Sequence, residues 1–174
     1  MNDSKHNIQV ELPAITLPQP RFEQTEPMLL AGLREPLSKN SDQQIPLLWQ
    51  RFMAFAHTIS HRRDQHYYGL CMQADSHKNE FYYMAGCALN DFSDLLVDLS
   101  PIIIPSQHYA VFPHDAHLSR IKETLSMIFD EWLPASDFKL ATKPAHSVHF
   151  FEKYTEAFNL STGLGGIEIW LPIR

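Results

Sequence analysis

Two hydrophobic periods, one of two residues and one of three to four, divide this chain into strands and helices in a repeated order. Met28 to Leu33 is an apolar run that reads as a strand, ended by Glu35-Pro36. Trp49, Phe52, Ala56 and Ile59 then recur three or four apart and predict a helix with one buried face, which Asp42 can cap and Pro46 can open. Tyr67 to Met72 and Glu80 to Leu89 read as two strands joined by a polar hairpin over 74–79. Asn90 to Pro105 is a connector bounded by prolines, and Gln107 to Phe112 is the next strand. Asp115 is placed to cap a second helix, in which Leu118, Ile121, Leu125, Ile128 and Trp132 keep the helical period until Pro134 stops it. Phe138 to Ala141, Val148 to Tyr154 and Ile167 to Ile173 complete the strands. Asn159 to Gly166, with three glycines, is a turn.

Side by side, the two halves run in the same order of strand, helix and strands. The strand at 28–33 corresponds to 107–112, the helix around Phe52 to the helix around Phe129, and 80–85 to 168–173. The expected fold class is α+β: two pseudo-symmetric βαβ-type modules forming an antiparallel sheet, with helices on one side and a central cleft. Residues 1–26, with Pro13, Pro18 and Pro20, read as an extended arm too short for a helix-turn-helix unit. The domain then covers 27–174, with halves of about 27–92 and 104–174.

Composition narrows the function classes. With 44% apolar and 20% charged residues in 174, the chain has ample material for a core. A net charge of −6 and the lack of a basic stripe argue against direct nucleic-acid binding. No run approaches the ~18–20 apolar residues that span a bilayer, and the first residues lack the layout of a signal peptide. Cys71 and Cys87 fall in separate strands and read as reduced, buried thiols. The expected setting is cytoplasmic.

Alternation sorts each strand into two faces. Ile167, Ile169, Leu171 and Ile173 share one, which reads as core, and Glu168, Trp170 and Pro172 share the other. Val148, Phe150, Glu152 and Tyr154 fall together, opposite His149, Phe151 and Lys153. In the earlier strand Glu80, Tyr82, Met84 and Gly86 align, opposite Phe81, Tyr83, Ala85 and Cys87. A carboxylate among aromatic side chains suits a half-lined pocket: aromatic faces attract cations by roughly 0.5–2 kcal/mol each, and a cationic ligand relieves the desolvation of a buried acid. The same pattern also suits an edge-strand charge that blocks aggregation.

Other constellations carry less. The histidine pairs His57/His61, His114/His117 and His146/His149 have chelating spacing, but no third ligand lies near any of them in sequence, so no metal or other cofactor is expected. There is no Gly-x-Ser-x-Gly elbow, and the glycine-rich 162–166 segment lacks the lysine of a phosphate loop.

Four segments in order resemble one family: Ile104-Pro105-Ser106-Gln107-His108-Tyr109-Ala110-Val111-Phe112, then Trp132-Leu133-Pro134-Ala135-Ser136, then Phe151-Glu152-Lys153-Tyr154, then Ile167-Glu168-Ile169-Trp170-Leu171-Pro172-Ile173. The chain resembles the GyrI-like small-molecule-binding domain, also called the AraC-type effector-binding domain. That resemblance implies a ligand cleft between two modules, with the cleft acid at Glu152 or Glu168 and an aromatic lining drawn from Tyr82, Tyr109, Trp132, Tyr154 and Trp170. It implies a protein that binds amphipathic, planar or cationic small molecules, standing alone without a DNA-binding domain, as a monomer or homodimer. Two alternatives stay open: hydrolysis of a strained-ring electrophile, with one of these two glutamates as the catalytic acid or base, and modulation of a topoisomerase-like protein partner.

Overall fold

The computed structural model describes residues 12–38, 43–73, 80–141 and 148–174. It places eight strands in one antiparallel sheet: β1 (Arg21–Thr25), β2 (Met28–Ser38), β3 (Tyr67–Gln73), β4 (Glu80–Leu89), β5 (Ser100–Ile104), β6 (Gln107–His114), β7 (Val148–Tyr154) and β8 (Ile167–Pro172). Helix α1 is Gln44–Phe55. A second helical run follows β6: a 3-10 turn Leu118–Arg120, α2 (Ile121–Ser126), a π-helical turn Met127–Trp132 and α3 (Leu133–Ala135). The fold is α+β, and no described helix is long and apolar enough to cross a membrane.

The strand order β1-β6-β8-β7-β3-β4-β2-β5 contains the repeat. One module is β2-α1-β3-β4 and the other is β6, the second helical run, β7 and β8. Their strands are mirrored about the β7–β3 pair, which forms the seam. Only Glu26-Pro27 separates β1 from β2, and only Pro105-Ser106 separates β5 from β6, yet β1 and β5 stand at opposite ends of the order. Three residue steps span at most about 11 Å. The two ladders also share one register, with Thr25 facing Gln107 and Met28 facing Ile104. The ends of the sheet therefore lie side by side, and the sheet curls around its helix-free face. That is why Tyr68, Leu70, Met72, Met84, Tyr109 and Phe151 are all buried there although no described helix covers them.

The opposite face carries both helical layers. Leu48, Phe52 and Ala56 of the α1 region pack on Leu33, Tyr83, Ala85 and Cys87. Ile128, with Ile121, Leu125 and Trp132, packs on Ala110, Phe112, Ile169 and Leu171. The π-helical turn ends at Trp132, two residues before Pro134. A proline has no N–H to give the preceding turn and its ring crowds a carbonyl there, so the backbone widens before it.

Several boundaries differ from the sequence reading. The last residues of the arm, 21–25, are β1, an edge strand paired with β6. The connector 90–105 contains β5, where Pro101 is tolerated because only one side of that strand is paired. β2 runs on through Pro36, since β5 pairs only with Met28–Gly32 and leaves the far end of β2 an edge. Residues 138–141 form an isolated bridge, Leu140 to Ile173, not a strand. The second helical run is capped by His117, whose ring accepts the Ser119 N–H, and not by Asp115. Asp42 and the hairpin 74–79 lie outside the described residues.

Candidate functional site

The seam strand β7 presents Phe150, Glu152 and Tyr154 in succession to the helical face. Phe150 meets Phe129 of the π-helical turn (ring centroids 5.7 Å apart), and Tyr154 meets Trp49 of α1 (5.2 Å). Glu152 thus lies between the contacts that the two modules make with one strand. It is 7% exposed. Opposite it on β3 is Gly69, which leaves space for the carboxylate. A Cβ at that glycine would stand 2.1 Å from the Tyr83 hydroxyl and 2.8 Å from Glu152 Oε2.

The hydrogen bonds run in one direction. Trp49 Nε1–H donates to the Tyr83 hydroxyl (3.0 Å), so the phenol's own proton is left to donate to Glu152 Oε2 (2.9 Å). Tyr154 donates to the same oxygen (2.7 Å). No ion pair found among the described residues includes Glu152. Burial pushes its carboxyl above the ordinary value, and the Tyr154 and Tyr83 hydrogen bonds only partly offset this. Burial first, then the nearby Glu152 charge, pushes both tyrosines well up. Cys71, half-buried on the same face of β3, is pushed up to about 12 by burial and by Glu152. A buried acid with hydroxyl donors, aromatic walls and no cation is suited to a cationic group.

The seven residues expected to line one cleft divide between two faces. Glu152, Tyr154 and Trp132 lie on the helical face. Trp132 packs edge-on against Phe112 (4.9 Å) at the end of the π-helical turn. Tyr82, Tyr109, Glu168 and Trp170 lie on the helix-free face. Tyr82 sits beneath the Arg34 guanidinium (4.2 Å), and Tyr109 is buried between Phe151 and Trp170. Glu168 pairs with Arg21 (2.8 Å) and accepts the Trp170 indole N–H (3.0 Å). Arg21 and Lys153 approach the Trp170 ring at 5.6 and 5.4 Å. The chain's own cations already fill that second acid and ring.

Of the two candidate acids left open by the sequence, Glu152 and Glu168, the fold puts one on each face of the sheet, so they do not share a cleft. Glu152 is paired in register with Ile169 and Glu168 with Lys153, so on adjacent strands the two acids point to opposite faces. Tyr83, Trp49 and Gly69 complete the Glu152 cluster and were not among the site residues expected from the sequence. A signal existed for Tyr83: it alternates with Ala85 and Cys87, small residues that mark the face a helix can approach. Val148 also changes sides, because a bulge between Cys71 and Met72 shifts the β3–β7 register. Of the histidine pairs, His114 is buried and bonded to Thr124 and to the His117 carbonyl, whereas His146 lies outside the described residues. Among those residues no three metal-ligating side chains converge.

Residues 21–173 match the model of a family described as Cass2, integron-associated effector binding protein. The transcriptional regulator BrlR of Pseudomonas aeruginosa is 31% identical over 128 residues, which are 72% of this chain but 45% of BrlR, so the chain spans under half of that relative's length. Among solved structures, SAV2435 bound to tetraphenylphosphonium has a TM-score of 0.71 at 18% identity, over 90% of this chain and 94% of that one. An integron cassette protein from the mobile metagenome of Vibrio cholerae has a TM-score of 0.65 at 18% identity, covering 91% and 97%. At such identities the structures share the fold.

Proposed function

Because the chain belongs to the family of integron-associated effector-binding proteins, we propose that it is an effector-binding module for amphipathic aromatic cations, with Glu152 as the acid that selects them. The ligand sits on the helical face at the β7–β3 seam, between α1 and the π-helical turn, with Trp49, Tyr83 and Tyr154 around its charge. One observation supports this above the others: Glu152 is buried, accepts two phenolic protons and has no cation partner among the described residues. An incoming cation supplies the missing charge, and each aromatic contact adds roughly 0.5–2 kcal/mol. The protein SAV2435, which shares the fold, was solved with an amphipathic aromatic cation, tetraphenylphosphonium, whose four rings surround the charge tetrahedrally.

Binding begins with separation of aromatic contacts at the seam. The Trp49–Tyr154 and Phe129–Phe150 pairs are edge-to-face packings worth about 0.5–1.5 kcal/mol each beyond their buried area, small enough for a ligand's own rings to replace. The test is thermal unfolding with tetraphenylphosphonium and with neutral triphenylphosphine oxide. A free concentration 100-fold above the dissociation constant adds about 2.7 kcal/mol of stability. The gain is expected for the cation in the native protein, in Glu168→Gln, and not in Glu152→Gln. Equal gains for both compounds, or an undiminished gain in Glu152→Gln, would remove Glu152 from the role.

A further inference from the structure

The two terminal strands of the sheet differ as edges. β5 carries Pro101 within it and ends against Pro105, and a proline has no N–H to offer a further strand. β1 carries no proline and, among the described residues, pairs with β6 alone. The direction of its free backbone groups follows from its neighbour. The His108 carbonyl accepts the Ile173 N–H (2.9 Å), on the β8 side of β6. Every second residue of a strand turns its N–H and C=O the same way, so Ala110 also turns toward β8. Gln24 and Phe22, opposite His108 and Ala110, therefore turn theirs away from β6. They form an unpaired row of donors and acceptors along the edge.

The side chains beside that row fit a copy of themselves. On the helical face Phe22 is 56% exposed, and its ring lies 5.1 Å from Phe138, which stacks at 14° on Trp132. On the other face stand Arg21 and Glu23, 46% and 42% exposed. Two antiparallel registers join the outward groups of β1 to those of a second β1. One has its twofold axis at Glu23 and sets that carboxylate against its own copy. The other has its axis at Phe22, sets ring against ring and places Arg21 of each copy opposite Glu23 of the other. Like charges directly opposite one another disfavour the first register, and opposite charges favour the second.

We propose that two copies of this chain associate edge to edge through β1, antiparallel and centred on Phe22, so that one sheet runs through both. The contact is isologous: the Arg21–Glu23 pair occurs twice, and the outward backbone groups of Phe22 meet their own copies. This inference is independent of the reading of Glu152, which lies three strands from the edge.

The test is the mass of the full chain by sedimentation across a concentration series. The mass is expected to rise with concentration from 20.1 kDa toward twice that value, in the native protein and equally in Glu152→Gln. Arg21→Glu and Glu23→Arg each bring like charges together twice in every dimer, and each should weaken association about tenfold. An equimolar mixture of these two variants should restore it, because each Arg then meets a Glu on the other chain. Arg21→Glu also removes the ion pair with Glu168, so the mixture decides where a single variant does not: a misfolded chain gives no recovery. A mass of one chain at every concentration overturns the proposal. Association indifferent to both single changes places the contact elsewhere and overturns it too, as does a loss that the mixture fails to restore.

Discussion

Glu152 and Glu168 stand on neighbouring strands, each two residues from an aromatic side chain that hydrogen-bonds to it: Tyr154 for the first and Trp170 for the second. In sequence they look like two copies of one feature. In the fold they are opposites. Glu168 has Arg21 on one oxygen, at 2.8 Å, and the chain's cations lie over its partner ring. Among the described residues Glu152 has phenolic donors alone, and it is more deeply buried. An acid beside aromatic rings is thus a weak sign of a ligand site. An acid whose counter-charge the protein does not supply is a stronger one, because its desolvation is left for a ligand to relieve.

The largest expected difference between the two acids is in cation affinity. Glu152→Gln keeps the size of the side chain and its ability to accept the tyrosine protons, yet should lose about 2–5 kcal/mol of binding to tetraphenylphosphonium by calorimetry. Glu168→Gln should change that affinity little. Next comes Gly69→Ala, whose methyl group would overlap Tyr83 and Glu152 Oε2. Overpacking there should cost about 1–3 kcal/mol in denaturant unfolding and weaken the cation as well. A binding-competent Gly69→Ala of native stability would show that the cluster tolerates rearrangement.

The pH dependence sharpens the contrast further. The carboxyl of Glu152 has its folded pKa raised above the ordinary 4.5 by burial. The folded state therefore holds this proton more tightly than the unfolded one. Its contribution is most favourable at low pH and is lost as pH rises from about 4.5 through the raised folded value. Relative to the native protein, Glu152→Gln should gain stability over that interval, measured as the difference in melting temperature against pH. A difference that stays constant would indicate that Glu152 ionises in the fold as it does in water. Smallest is the stability effect of Glu168→Gln. Arg21 is 46% exposed and Glu168 19%, so removing their pair should cost about 0–1 kcal/mol and respond to salt.

Much of the fold was legible in the chain. The helical period of Trp49, Phe52 and Ala56 located α1, and alternation located β4 and β7 with the bounds found in the structure. The repeat of strand, helix and strands was readable because each module needs the same burial pattern. The missed elements have a common cause. β1 and β5 are short edge strands, and β5 carries Pro101 within it, so neither shows the long uninterrupted alternation of a central strand. Residues 138–141 show the reverse error: they alternate, but only a single bridge to Ile173 pairs them.

For the site, the division is sharper. The two-residue period of the sequence determined which residues of each strand share a face: Glu152 with Tyr154, Glu168 with Trp170, Tyr82 with Met84 and Tyr83 with Ala85. It also determined the order of modules and the presence of an acid among rings. Only the tertiary structure decided which face of one strand lies beside which face of the next. A shift of one residue in register exchanges the two faces, and register is set by pairing partners and bulges far away in sequence. That pairing put Tyr83 in place of Tyr82 beside Glu152, set Glu168 on the other side of the sheet, and brought Arg21 from the edge strand to neutralise it. Charge compensation is a property of neighbours in space, and the sheet chose the neighbours.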